Sequence, residues 1–175
     1  EGKRKDARKR FRLEGTAGDI TASVNGTIAA GQRDPEVEFK AQVQDAARLA
    51  GAFDIKGVPS QTLQVAGHMA VSPTQLKLTG VSAILGGAQV TLDGAIARAG
   101  ERTATTRFDF STDSLAHLGH GLPAISAQVS GDLLGTSGQF EFSNLSAVLG
   151  KTRLAGTMKI ARTPEHHIDA DLSSP

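Results

Sequence analysis

The stretch GVPSQTLQVAGHMAVSPTQLKLTGVSAILG, Gly57 to Gly86, decides the fold because it occurs twice. Shifted forward by 64 residues, it lies without a gap on GLPAISAQVSGDLLGTSGQFEFSNLSAVLG, Gly121 to Gly150. Ten of the thirty positions are identical, including Gly67/Gly131, Gln75/Gln139 and Ala83/Ala147; others exchange like for like, as Leu76/Phe140 and Leu78/Phe142 do. Agreement at that level marks a repeat architecture rather than a single globule. It divides the chain into a partial unit over 1–56, a complete one over 57–120 and a partial one over 121–175. Phe11-Arg-Leu-Glu-Gly15 matches Leu76-Lys-Leu-Thr-Gly80, so the chain is expected to open and to stop partway through a unit of a longer array.

Inside the repeat the apolar residues fall at every second position. Leu76 and Leu78, Val90 and Leu92, Phe108 and Phe110, Phe140 and Phe142, and Ile168, Ala170 and Leu172 alternate with polar neighbours. That period belongs to strands with one apolar and one solvated face. It predicts about eleven strands over the chain, joined by turns such as Ser72-Pro73-Thr74, Gly86-Gly87 and Thr163-Pro164-Glu165. Connections this short imply an antiparallel meander. The expected fold is therefore all-β: antiparallel units of about four strands with short helical linkers. With one apolar face per strand, such a sheet must close on itself, pack on a second sheet as a β-sandwich, or hold an apolar ligand.

Two segments break the alternation. Asp45-Ala-Ala-Arg-Leu-Ala-Gly51 and Asp113-Ser-Leu-Ala-His-Leu-Gly119 each read as an Asp N-cap, a turn of helix formers and a Gly stop. A Gly-hydrophobic-Pro step restarts the sheet after each. Within strands, the apolar parity slips between Leu78 and Val81 and again between Phe142 and Leu145. An extra residue there would restore the register, which predicts a β-bulge or a strand break. Gly26, Gly94 and Gly156 share parity with apolar neighbours and should leave shallow notches on that face.

The formal net charge of +1 and the absence of aromatics in the basic opening run (Lys3, Arg4, Lys5, Arg8, Lys9, Arg10) argue against a nucleic-acid partner. That run reads as a solvated strand end. With no Cys there is neither a disulfide framework nor a cysteine nucleophile. Neither a phosphate loop nor a nucleophile elbow is present. His117 and His120 lack a third ligand at matching spacing, so no metal is expected. Glu165-His166-His167 reads as a solvated turn, and Asp109, Asp169 and Asp171 as outward strand positions. The sequence offers no catalytic constellation and calls for no cofactor.

The segment from Phe142 to Ile160, FSNLSAVLGKTRLAGTMKI, followed by His167 to Pro175, HIDADLSSP, resembles the AsmA family. VSAILGG from Val81, with VTLDG from Val90, repeats the pattern with a longer gap. Gly15-Thr-Ala-Gly18 departs from it, which implies a shortened first copy. The resemblance implies an envelope protein of the periplasm, tethered to the inner membrane through a segment outside this sequence. It further implies an elongated curled sheet with an apolar interior, a hydrophobic groove that passes phospholipid between inner and outer membranes. The implied partners are phospholipid acyl chains, neighbouring repeats of the same protein and outer-membrane or other envelope proteins. On that reading the groove is lined by Leu76, Leu78, Val90, Leu92, Ile96, Phe108, Phe110, Phe140, Phe142, Leu154, Met158 and Ile160. The alternative is a structural or assembly module that supports envelope biogenesis through protein contacts.

Overall fold

In a computed structural model, the described residues are 8–29, 35–52, 54, 57–119, 121–161 and 167–174. Lys3, Arg4, Lys5, His120, His166 and the Thr163-Pro164-Glu165 turn lie outside them. The strands are β1 (Arg8–Ala17), β2 (Ile20–Ala29), β3 (Glu36–Val43), β4 (Leu63–Val71), β5 (Gln75–Leu85), β6 (Ala88–Ala97), β7 (Ala104–Thr112), β8 (Ala127–Gly135), β9 (Gln139–Leu149), β10 (Thr152–Ala161) and β11 (His167–Ser173). A helix α1 (Ala46–Gly51) and a 3-10 turn, Leu115–Leu118, complete the described elements.

All eleven strands belong to one open antiparallel sheet in the order β1 to β11. The sandwich alternative is thereby corrected. Each strand pairs with its chain neighbours: most connections are turns of a few residues that reverse the chain at once, and the longer segments 44–62 and 113–126 also return it to the adjacent position. Three hairpins use two-residue turns whose first residue is a glycine with left-handed φ: Gly18 (58°), Gly86 (57°) and Gly150 (59°). A side chain at those positions would carry the steric cost of that region. Longer hairpins close differently: Ser72 Oγ accepts from the Gln75 N–H at 3.0 Å, and the Ser72 N–H donates to the Gln75 carbonyl at 2.8 Å.

The bulges fall where the parity slips. Pairing of β5 with β6 shifts register between Leu78 and Val81, and that of β4 with β5 between Ala66 and His68. The second copy repeats this between Ser130 and Asp132 on β8 and between Gly156 and Met158 on β10. Gly80 and Asn144, 64 residues apart, hold the extra position at φ 56° and 52°. Gly and Asn tolerate that left-handed conformation best, and one inserted residue restores the apolar parity of everything that follows. β1 pairs with β2 over ten residues with no such shift.

The two non-strand segments, 45–52 and 113–119, differ in detail. Asp45 caps α1, accepting from the Ala47 N–H at 3.0 Å and the Arg48 N–H at 3.4 Å. The corresponding cap at the second segment is Ser114 rather than Asp113, its side chain makes no capping bond, and only a 3-10 turn forms. Asp113 instead lies beside His117, Oδ1 to Nδ1 3.1 Å. Neither segment ends on a left-handed glycine: the α1 cap is Ala52, and Gly119 is extended. Both segments lie along one rim of the sheet, where Val43, Ala46, Ala50, Ala88, Thr112 and Ala127 are buried.

Candidate functional site: one apolar face

Strand register places every second side chain of all eleven strands on one face. Leu13 pairs with Val24, Val24 with Phe39 and Phe39 with Gly67; beyond the bulge Val81 pairs with Leu92, Leu92 with Phe108 and Phe108 with Gly131. Past the second bulge Leu145 pairs with Gly156, which pairs with Leu172. The twelve residues expected to line a groove all share this face: Leu76 pairs with Ile96, Val90 with Phe110, Leu92 with Phe108, Phe140 with Ile160, Phe142 with Met158 and Leu154 with Ala147, while Leu78 opposes Gly94. Phe11, Val24, Phe39, Leu133 and Leu145 join them and were not among the residues expected there. The same two-residue alternation (Phe11 with Leu13, Phe39 with Ala41) carried the signal.

These side chains are half-buried, leaning on one another along the face. Ile96 is 37% exposed, and at the two edges Leu13, Ile168 and Leu172 are 65%, 63% and 48% exposed. Among the described residues no large side chain is fully buried. One-sided contact of this kind follows from a sheet face with no second layer. Phe108 and Phe142 meet edge to face within the sheet, not across a sandwich.

The expected glycine notches are corrected. A Cβ at Gly26 would sit 2.1 Å from Cζ of Phe11, whose ring fills the gap. Phe39 lies against Gly67 and Phe108 against Gly131 in the same way, at 3.1 and 3.4 Å from the added Cβ. At Gly94 the obstruction is backbone, with the Thr105 carbonyl oxygen at 2.4 Å; at Gly156 it is the Asp171 carbonyl oxygen at 1.9 Å. Aromatic rings laid over cross-strand glycines level the face and shield exposed backbone.

The opposite face is polar and carries shallow recesses. One, of about 720 Å³, crosses β1 to β5 and is lined by Arg10, Arg12, Glu36, Glu38, His68 and Lys77. A second, of about 570 Å³, includes Asp93, Arg107, Asp109, Asp132 and Asn144. Here the bulges are latched: the Gly80 N–H donates to Asp93 Oδ1 at 2.7 Å, and Asn144 Nδ2 donates to Asp132 Oδ2 at 2.8 Å. Arg107 Nε donates to Asp132 Oδ1 at 3.0 Å. The Asn144 bond, then that of Arg107, holds the Asp132 carboxyl below the usual carboxylate range, against a smaller opposing effect of burial. Asp109, Asp169 and Asp171 are exposed, on this same face. Among the described residues no three His, Asp or Glu side chains converge as a metal set. None of the helices among them is long and apolar enough to cross a membrane.

Comparison with family models, with curated proteins and with solved structures finds no match for this chain.

Proposed function

We propose that this chain is a lipid-carrying module of the AsmA type, whose apolar sheet face receives phospholipid acyl chains in the periplasm. The observation that carries the reading is a continuous apolar face over eleven strands with no second layer among the described residues. Covering such surface with hydrocarbon stabilises it by roughly 2.5 kcal/mol per 100 Å². The side chains are Leu, Ile, Val, Phe and Met, which suit acyl chains and carry no group to select among them. Strands of nine to eleven residues span about 30 Å, the thickness of two acyl chains end to end. Eleven strands side by side extend this surface by about 50 Å.

The finer architecture belongs to the same proposal. A complete unit over 57–120, with partial units over 1–56 and 121–175, belongs to an array that curls toward its apolar side into a trough. Bulges and hairpin turns recurring 64 residues apart support that division. Transport then needs no catalytic residue and no cofactor. The inner-membrane tether, neighbouring repeats and outer-membrane partners follow from the family resemblance.

The test is a photo-crosslinking side chain at Phe110 or Phe142, with Asp109 on the polar face as control, in protein incubated with phospholipid vesicles. Lipid adducts at the two apolar positions and none at Asp109 are expected. Equal labelling at all three, or none, would sink the reading.

A further inference from the structure

At the rim of the sheet, three donor side chains gather on the Gly86-Gly87 turn. Asp113 and His117, four residues apart, bring Oδ1 to 3.1 Å from Nδ1. The two are not aligned as a hydrogen bond: Nδ1 has neither a hydrogen-bond partner nor contact with solvent. Gln61 reaches His117 from across the rim, its Nε2 donating to the His117 carbonyl at 3.3 Å. Its Oε1 is directed at the turn, and it too is buried without a partner. Among the described residues, these are the only buried side-chain polar atoms left unpaired. Native folds seldom bury an acceptor without giving it something to bind.

The turn leaves room for these groups. At Gly86 the left-handed φ of 57° calls for glycine, but Gly87 is not left-handed, so its backbone makes no such demand. What excludes a side chain at Gly87 is space: an added Cβ would lie 2.7 Å from both Asp113 Oδ1 and His117 Nδ1. The corresponding turn between β1 and β2 has Asp19 at this position, and Asp19 pairs with Arg48 of α1. There a guanidinium fastens the rim segment to the turn. In the second segment alanine, Ala116, stands in the place of Arg48, and the turn residue is Gly87. No side chain of the segment supplies the cation.

We propose that Asp113, His117 and Gln61 bind a divalent transition-metal ion of the Zn²⁺ class, which fastens the second rim segment to the Gly86-Gly87 turn. Metal bonds of about 2.1 Å at right to tetrahedral angles set donor atoms about 3.0–3.4 Å apart, and the observed 3.1 Å falls within that interval. An imidazole nitrogen with a carboxylate and an amide oxygen suits Zn²⁺ better than Mg²⁺ or Ca²⁺, which take oxygen ligands. The Asp113 side chain is 76% exposed, so water completes the coordination. The role is structural: the ion supplies at this segment the tie that Arg48 and Asp19 supply at the first. The ligands come from an i, i+4 pair and from across the rim, not from the His117–His120 spacing that the sequence brings to notice. This inference does not depend on what the apolar face binds.

The test is a calorimetric titration of chelator-treated chain with ZnCl₂, with far-UV circular dichroism to verify folding. One Zn²⁺ per chain is expected, with a rise in thermal midpoint that Mg²⁺ does not give. His117→Ala and Asp113→Asn should each weaken binding at least about tenfold. Gln61→Met, which keeps the volume and removes the acceptor, should weaken it by a smaller factor. Gly87→Ala should also weaken it, since its Cβ intrudes on both donor atoms. His68→Ala and His167→Ala should bind as the parent does. In histidine ¹⁵N NMR, one Nδ1 resonance should shift on adding Zn²⁺, and that shift should be missing from His117→Ala. No saturable Zn²⁺ binding, binding that survives Asp113→Asn combined with His117→Ala, or binding lost with His68 or His167 would each overturn the proposal.

Discussion

Phe108 and Phe142 meet edge to face, ring centroids 6.1 Å apart and planes at 89°, across β8, where Phe108 faces Gly131 and Phe142 faces Leu133. The contact is lateral: two rings on one face lean together where a cross-strand glycine leaves room. Neither is fully buried, which separates this sheet from a packed core.

Half-burial sets the expected cost of removing a ring. Phe110→Ala should lower stability by about 1–2 kcal/mol, against about 3–5 for a phenylalanine in a closed core. Urea unfolding with and without phospholipid measures both terms. Lipid should raise the midpoint of the parent more than that of the variant. A loss in the range of a closed core would show that the face is covered by protein.

Glycine under a ring or a neighbouring strand cannot grow a side chain. At Gly67 an added Cβ lies 2.8 Å from Val81 Cγ2 and 2.9 Å from its Cα, so backbone must move. Gly67→Ala is expected to cost about 1–3 kcal/mol. Gly15, with nothing within 4 Å, should accept Ala with a change of about 0.5 kcal/mol or less. Denaturation midpoints of the two variants make the comparison.

The bulge makes a matching claim about backbone. Gly80→Val should lose roughly 1–2 kcal/mol, the cost of left-handed φ for a branched residue. Gly80→Asn should lose distinctly less, since Asn144 holds the equivalent position at φ 52°. Equal losses in thermal or urea unfolding would refute the bulge as the reason for glycine there.

Asp132 provides the pH dependence. Its folded pKa is depressed by Asn144 and Arg107, so the stability it adds is present above the unfolded value of about 3.9 and disappears as pH falls through the folded one. The stability difference between the parent and Asp132→Asn should therefore be flat near neutrality and shrink in acid below that range. Unfolding curves collected from neutral to strongly acidic pH read this directly. A difference that grows in acid would contradict the assigned partners.

The two short non-strand segments give a further contrast. Asp45→Ala should cost about 1 kcal/mol, because it removes the bonds to the Ala47 and Arg48 amides. Ser114→Ala should change little, as Ser114 makes no side-chain cap bond.

Strand count, order and most boundaries were legible because a two-residue period and short turns leave little choice. β5, β9 and β10 end where the alternation ends. β4 is shorter than its pattern: it begins at Leu63, and Gln61 instead turns toward the rim, its Nε2 donating to the His117 carbonyl at 3.3 Å. One sheet or two was not legible, since alternation is the same for an open face and for half of a sandwich. The 3-10 turn was missed because Asp113 copies Asp45 in sequence, yet Ser114 holds the capping position and its N–H donates to Thr112 Oγ1 at 3.2 Å. The apolar face was read correctly as to parity, through the bulges. What fills its glycines depends on cross-strand register and side-chain rotamers, which no local pattern states.

Every strand in the sheet pairs only with strands next to it in the chain. Such a sheet has low contact order, so folding can begin at any hairpin and spread outward, with 44–62 and 113–126 the longest connections to close. Unfolding runs the same route in reverse. Pulled from its two ends, the chain should peel one strand at a time from either edge, leaving the interior strands paired until last.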